Sequence, residues 1–363
     1  MTNHLDRRSV ARMLGSFALG SSMLPAFRIV SYGQGAPTKV TLSLPWLPIG
    51  SYASFIVARE LGYWKDRGLD VEVSRGYGSP DTCKKVGLGQ FNYGDASFSV
   101  LIQTVGQGMD LMGLGLHMQV SPLAVFSLKK NNIREPKDLE GKVVGATPTT
   151  GDYHLFPAFA KATGIDKSKI KFRFLDGNVR AQSLLDGSVD ALTGYYSTDA
   201  APLWTGGGEI DIMLYYKYGL KLYDTGVFAT RTQVEKFPEV TKAVVEGAME
   251  GLKFTYLKPA DTLDLHIRAV KEFQGSERNR ETIKHQIAIN TALGIHPGPK
   301  EHGLGYFIPD EVTSNVAVAK EYLSLQKEVR PETIYSNQFV GTVKLSSAEW
   351  DQVQQSVRSY VIW

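Results

Sequence analysis

The stretch "LLDGSVDALTGYYSTD", Leu184 to Asp199, repeats the plan of "VGLGQFNYGDASFSV", Val86 to Val100. Each reads as the tail of a short helix, a glycine, a brief strand and a small polar loop. Each copy ends on an acid, hydroxyls and a glycine. A chain that builds one device twice, in different halves, points to two similar α/β lobes.

The segments around each copy support this. "KVTLSLPW", Lys39 to Trp46, alternates apolar and polar residues as a strand does, and Pro45 and Pro48 stop it. Ser51 can cap a helix through Phe55, Ile56, Ala58 and Leu61, which Gly62 can end. A strand at Val71–Ser74 and a short helix at Thr82–Leu88 follow. In the second half, "GKVVGATPTTGD" is a strand entering a loop, and Tyr153–Gly164 reads as one helix with Pro157 near its first turn. "KIKFRFLDGN" is an alternating strand and "VRAQSLLDG" a short helix. Strands alternating with helices at this spacing predict parallel sheets. From Val234 onward the pattern turns helical, with Val240, Val244, Ala248 and Leu252 at helical spacing. Ser346 and Glu349 form the S-x-x-E pattern of a capping box. These helices are expected to pack on the first lobe's sheet. The expected organisation is an export signal at 1–36, a first lobe at 37–127 plus 224–363 with the helical extension, and a second lobe at 128–223.

Composition sets the limits. Of 363 residues, 43% are hydrophobic and 21% charged, ordinary for a globular protein. No apolar run reaches the roughly 20 residues a membrane helix needs. Cys83 is the single cysteine, which rules out an internal disulfide and a cysteine metal cluster. The histidines are scattered, and no metal site, cofactor, nucleophile elbow or phosphate loop is read. Arg7 and Arg8 precede an uncharged run from Met13 to Phe27, the order of an export signal and similar to a twin-arginine one, with Asp6 before the pair as a departure. Four arginines against one aspartate give residues 1–36 the same net +3 as the whole chain, so the remainder is near neutral. That gives no reason to expect a nucleic-acid groove or an anionic-membrane patch.

Ligands of open parallel sheets sit outside the carboxyl ends of the strands. The loops expected there are "PWLPIGSY", "RGYGSPDT" and "YGDAS" in the first half, and "TPTTGDY", "LDGN" and "TGYYSTD" in the second. Most carry an aromatic residue, a hydroxyl and a glycine or acid. Two such lobes facing each other make a cleft that can hinge shut on a small molecule.

"WLPIGSYASFIVARELGYWKDRGLDVEV", with "GYWKDRGLDVEV" as its most specific part, resembles the opening of the thiamine-pyrimidine-precursor and sulfonate-binding (NMT1/THI5-like, SsuA-like) family of substrate-binding proteins. "DLEGKVVGA" and "LLDGSVDALTGYY" sit where that family places its second-lobe strands. The resemblance covers about residues 38–260. It implies a type II periplasmic-binding-protein fold: two α/β lobes with a hinge, feeding an ABC permease and its cytoplasmic ATPase from the periplasm, monomeric and peripheral to the membrane. Relatives of this family bind pyrimidines, flavin, sulfonates or nitrate. Others resemble iron-dependent thiamine-pyrimidine synthases, whose cysteine-rich motif is missing here, so no catalytic residue is assigned.

The ligand-binding candidates are Trp46, Tyr52, Tyr77, Asp95, Ser97, Thr150, Gly151, Asp152, Tyr153, Tyr195 and Asp199. Trp46 ends the first strand, where an indole can stack on a ring or simply pack the lobe. Tyr77 and Tyr195 sit in glycine-flanked loops, and Tyr52, Tyr153 and Ser97 in the neighbouring strand-end segments. Asp95, Asp152 and Asp199 can accept charge-assisted bonds from N–H groups, or else fix a turn, cap a helix or stay solvated. Thr150 and Gly151 precede a helix N-terminus, a place that favours an anion. Acids beside it disfavour a bare anion, so an N–H-bearing planar ring is the expected solute. Contact by Arg75 or Arg180 would weaken that expectation. Asp199→Asn is expected to weaken binding with the fold unchanged.

Overall fold

The computed structural model describes residues 36–363; the expected export signal lies outside the described residues. Ten strands make two five-stranded sheets. The first holds β1 (Thr38–Ser43), β2 (Leu69–Ser74), β3 (Tyr93–Ser97), β4 (Leu111–Leu116) and β10 (Thr225–Thr230). The second holds β5 (Leu123–Leu128), β6 (Val143–Ala146), β7 (Lys171–Phe174), β8 (Ala191–Tyr195) and β9 (Ile210–Leu214). Their orders, β2-β1-β3-β10-β4 and β7-β6-β8-β5-β9, are the same plan. β3 and β8, the two strands of the repeated device, occupy equivalent central places.

The sheets are mixed, where parallel sheets were expected. β10 runs antiparallel to β3 and β4, and β5 antiparallel to β8 and β9. The reason is topological. Strands built by a strand–helix–strand crossover run toward the tips. β5 and β10 enter their sheets from the other lobe, so they start at the tips and run away. The chain crosses at 117–122 and returns at 215–224, which places β5 wholly in the second sheet; the expected boundary after 127 falls inside that strand.

Other expectations shift in detail. The helix expected at Tyr153–Gly164 is two, Gly151–His154 and Phe156–Thr163, with Pro157 in the first turn of the second. Pro lacks the N–H and restricts the residue before it, so the break falls where the ring allows it. Ser51 caps nothing; a 3-10 turn at Gly50–Tyr52 leads into the helix Ala53–Glu60, and Gly62 ends it in the left-handed conformation. The Ser346/Glu349 capping box is present, Ser346 N–H donating to Glu349 Oε2 at 2.6 Å and Glu349 N–H to Ser346 Oγ at 3.3 Å.

The helical extension does not stay on the first lobe. The helix Pro238–Leu257 packs on Ala53–Glu60, as expected. The helix Glu277–Leu293, however, lies against Tyr196–Thr205 of the second lobe. Thr282 and Thr205 share a hydrogen bond at 2.9 Å, and Tyr196 Oη donates to the Tyr360 carbonyl at 3.1 Å. Tyr360, Ile362 and Trp363 cover the second lobe's apolar cluster around Leu203 and Tyr196. The apolar area offered by Tyr196–Thr205 explains this: a helix hydrophobic on two sides needs a second cover.

One close helix contact depends on glycine. A Cβ at Gly251 would collide with the Ser54 carbonyl oxygen and crowd Ala58 at 3.0 Å. Gly251→Ala gains helix propensity of roughly 1 kcal/mol but forces the helices apart. The expected net effect is a loss of about 1–3 kcal/mol, read as a lower urea midpoint with an unchanged slope.

Candidate functional site

The two crossing segments pair with each other at the strand tips. His117 and Met118 N–H both donate to Thr225 O (3.1 and 3.2 Å), Asp224 N–H to Met118 O (3.2 Å), and Ser121 N–H to Leu222 O (2.9 Å). This pairing brings a titratable residue from each segment to the base of the lobe interface. Asp95, inside β3, faces His117 across β10, with His117 Nε2 3.0 Å from both carboxylate oxygens. Both side chains are essentially sealed from solvent. Phe55 and Tyr52 close on the imidazole edge-to-face.

Asp224 completes the group. Burial pushes its carboxyl up to about 7; the Ser97 hydroxyl pulls it down, Asp95 pushes it up further and His117 opposes that. Burial likewise holds the Tyr52 and Tyr195 hydroxyls well above their usual range, with Asp224 adding to both. Those tyrosines come from different lobes. The lobes also touch directly, Ser51 Oγ donating to Ser197 O at 2.7 Å, so the tips are drawn together.

The second lobe contributes a second buried group. Arg180 Nη2 lies 3.0 Å from both oxygens of Asp199, and Nη1 3.9 Å from Asp152 Oδ2. Desolvation works against the guanidinium, but Asp199 and Asp152 outweigh it and hold the charge more firmly. Thr193 Oγ1 donates to Asp152 Oδ2 at 2.7 Å, and Tyr195 N–H to Asp199 Oδ2 at 2.8 Å. Arg180 Nε and Nη1 and Asp152 Oδ1 are buried with no hydrogen-bond partner among the described residues. Buried polar atoms normally have partners, and these three have none.

The expected residues therefore divide. Tyr52, Asp95, Ser97 and Tyr195 meet at the tips with Asp224. Gly151 is there too, its N–H donating to Tyr195 Oη at 3.0 Å, which occupies the donor expected for an anion. Asp152 and Asp199 are there, but as partners of Arg180 rather than uncompensated acids, and the anion-repelling argument loses those two charges. Asp199 lies in the first turn of its helix, not in a loop. Trp46 is half-buried, and its indole reaches the second lobe's loop, 3.5 Å from where a Cβ at Gly177 would stand.

Three candidates are engaged otherwise. Tyr77 is 65% exposed, its ring under the Arg75 guanidinium at 4.5 Å. Tyr153 packs edge-on against Phe172 and Phe174, an aromatic lining of the second sheet. Thr150 spends its hydroxyl on the Thr147 carbonyl at 2.8 Å. Arg75 is exposed. His117, Asp224 and the role of Arg180 were missed: each depends on a partner from a separate segment. The one available signal was the position of Asp224, in the segment where the chain turns back to the first lobe. Among the described residues no three His, Cys, Asp or Glu side chains are grouped to hold a metal ion. Hollows of about 600 and 300 Å³ lie on the helical extension, lined by residues such as Trp350 and Tyr256, away from the tips.

Two outcomes follow from this geometry. Asp199→Asn leaves a buried guanidinium without its main partner, so it is expected to cost about 3–5 kcal/mol of stability, measured by urea unfolding, in place of the unchanged fold the sequence led us to expect. Asp224 has a folded value above its unfolded one, so the folded state binds the extra proton between about pH 4 and 7, and stability falls as pH rises through that window. Asp224→Asn removes this dependence, on the order of 4 kcal/mol across the window; unfolding curves at pH 5 and pH 8 check it, the variant gaining on the wild type at pH 8.

The NMT1/THI5 like family model matches residues 50–262. The chain is 20% identical to riboflavin-binding protein RibY of Chloroflexus aurantiacus over 306 residues, 83% of this chain and 86% of that one. It is 24% identical to the formylaminopyrimidine-binding protein of Halalkalibacterium halodurans (62% and 69% covered). It is 22% identical to 4-amino-5-hydroxymethyl-2-methylpyrimidine phosphate synthase of Legionella pneumophila (64% and 74% covered). Among solved structures, the alkanesulfonate-binding protein SsuA of Xanthomonas axonopodis pv. citri bound to MOPS superposes with a TM-score of 0.62 at 13% identity, covering 83% of this chain and 97% of that one. The fold is that of the periplasmic binding proteins, two α/β lobes joined by a paired crossing, and the chain belongs to the NMT1/THI5-like family.

Proposed function

We propose that this protein is the solute-binding component of an ABC importer. It holds a small heteroaromatic, pyrimidine-like molecule between its lobes and delivers it unchanged to a membrane permease driven by a cytoplasmic ATPase. The observation that carries this reading is the convergence of polar and aromatic side chains from both lobes on one closed interface, over a crossing that can act as a hinge. Tyr52, Tyr195 and Trp46 supply flat faces, and Asp95, Asp224 and Asp152 supply acceptors for ring N–H groups. Relatives named for riboflavin and formylaminopyrimidine binding point to the same chemistry. Work outside the cytoplasm, as a monomer beside the membrane, follows from this role; no helix among the described residues is long and apolar enough to cross a membrane.

A second reading is an enzyme of pyrimidine synthesis, favoured by the synthase among the relatives. It requires turnover, so the purified protein incubated with iron and pyridoxal phosphate would release a pyrimidine product. Under the binding reading that incubation yields none.

A thermal-shift series of pyrimidines, flavins, purines, aromatic acids, sulfonates and nitrate tests the reading directly. A true solute at about 100 times its dissociation constant adds roughly 2.7 kcal/mol. Stabilisation by nitrate or sulfonates alone would overturn the heteroaromatic assignment. Trp46→Ala is expected to weaken binding of the stabilising compound about 5- to 30-fold, the loss of a stacking face plus its buried area, with the unfolding midpoint of the solute-free protein close to that of the wild type; calorimetric titration measures it.

A further inference from the structure

We propose that the larger hollow on the helical extension, beside the crossing, is a second small-molecule site, shaped for a neutral molecule that carries an amide N–H and C=O on an apolar body. It is separate from the lobe interface and stands whether or not a solute binds there.

The hollow has a volume of about 600 Å³, within the range that holds small ligands. Two parts of the extension line it. Ile295 and His296 follow the helix Glu277–Leu293, and Leu345 and Trp350 lie at and in the helix Ser347–Ser356. His296, Leu345 and Trp350 are its buried wall; Lys300, Glu301 and Gln354 are exposed and form a rim that can move aside. Two atoms of the buried wall lack partners. Trp350 Nε1 and His296 Nδ1 are each buried with no hydrogen bond among the described residues. A buried indole N–H normally finds an acceptor. Trp64, equally buried, does so, donating to the Val244 carbonyl at 2.9 Å. The wall is also tied to both crossing segments. Leu293 O, just before Ile295, accepts the N–H groups of Gln119 and Val120 at 2.9 Å, and Glu311 beside His296 also faces the Tyr223 hydroxyl.

The two atoms ask for opposite partners. The indole N–H can only donate. His296 Nε2 lies 3.3 Å from Glu311 Oε1, and a carboxylate oxygen facing that nitrogen favours the tautomer with the proton on Nε2. Burial, opposed by Glu311, holds the imidazole below its usual value, so the ring is neutral near pH 7 and Nδ1 is an acceptor. An occupant that meets both presents a C=O to the indole and an N–H to the imidazole, as an amide does. Lys300 and Glu301 bring one basic and one acidic side chain to the rim, which gives no preference for an ion. Ile295 and Leu345 supply apolar surface for the rest of the molecule.

Benzamide is the probe. N,N-dimethylbenzamide, which lacks the N–H, and benzoate, which is an anion, are the controls. Proton–nitrogen correlation spectra of the isotope-labelled protein read the Trp350 indole N–H, assigned from its own backbone amide. Benzamide is expected to shift that resonance saturably, with a dissociation constant of about 1 mM or below, and to leave the Trp64 indole signal in place. Both controls should bind at least about fivefold more weakly, the loss of one hydrogen bond. Ser347 lines the hollow from an exposed position at the start of its helix. Ser347→Phe should therefore fill the hollow and abolish the shift, with an unfolding midpoint close to the wild type. A shift that stays linear up to the solubility limit of benzamide overturns the proposal. So does equal or tighter binding of either control, because the hollow then reads no N–H or prefers an ion. A shift that survives Ser347→Phe places the binding elsewhere and overturns it as well. None of these results bears on solute capture at the strand tips.

Discussion

Two short segments that cross between the sheets are hydrogen-bonded to each other, and the architecture follows from that pairing. The two crossing segments pair through Met118 N–H to Thr225 O and Asp224 N–H to Met118 O, and each lobe accepts one strand that starts at the interface. That strand runs against its neighbours, which is why both sheets are mixed. The same pairing places His117 and Asp224 side by side under β3 and sets Asp95 opposite them. A hinge made of backbone pairing can bend at its ends without breaking its middle, so lobe motion and the charged base of the interface are mechanically linked.

The polar groups at the interface are expensive to bury, and most of their charged groups are paired while several atoms, His117 Nδ1, Asp152 Oδ1 and Arg180 Nε among them, are left without a partner among the described residues. Arg180 with Asp199 and Asp152, and His117 with Asp95, are each bound within one sheet's frame. The direct bond between lobes that seals the tips, Ser51 to Ser197, is worth on the order of 1 kcal/mol. Under the binding reading, closure depends on what fills the donors and acceptors left without partners. A solute can shift the lobe equilibrium only by as much as it prefers the closed arrangement. The helical extension touches both lobes. Glu277–Leu293 and the last residues lie on the second lobe while Pro238–Leu257 lies on the first, so the extension spans the hinge.

Much of the fold is legible in the sequence because it rests on local patterns. The period-two strand Lys39–Trp46, the glycine at 62 and the Ser346/Glu349 box each specify their own neighbourhood. The doubled device, Val86–Val100 and Leu184–Asp199, correctly marks two equivalent central strands. Strand direction was misread because only the return of the chain from the other lobe reverses β5 and β10, and no local pattern records that. The grouping of side chains at the strand tips was legible in outline. Loop position pointed to Tyr52, Asp95 and Tyr195, which lie together at the tips, and also to Tyr77, whose glycine-flanked loop turns outward beneath Arg75. Asp224 sits in an unremarkable "LYDTG"; its character comes first from burial, and Asp95, 129 residues earlier, adds to it. Arg180 reads as one more helix charge until Asp199 and Asp152 close on it.

The central claim is mechanical: a solute is captured by closure of the two lobes about the paired crossing. Cys83 is buried, so spin labels can be placed at substituted cysteines at exposed Gln90 on the first lobe and Lys171 on the second. Pulsed electron-spin distance measurement then reads the separation with and without the solute that stabilises the protein. The account predicts a broad, longer distribution in the free protein that narrows and shortens on saturation. One distribution, unchanged when the solute is fully bound, would contradict it.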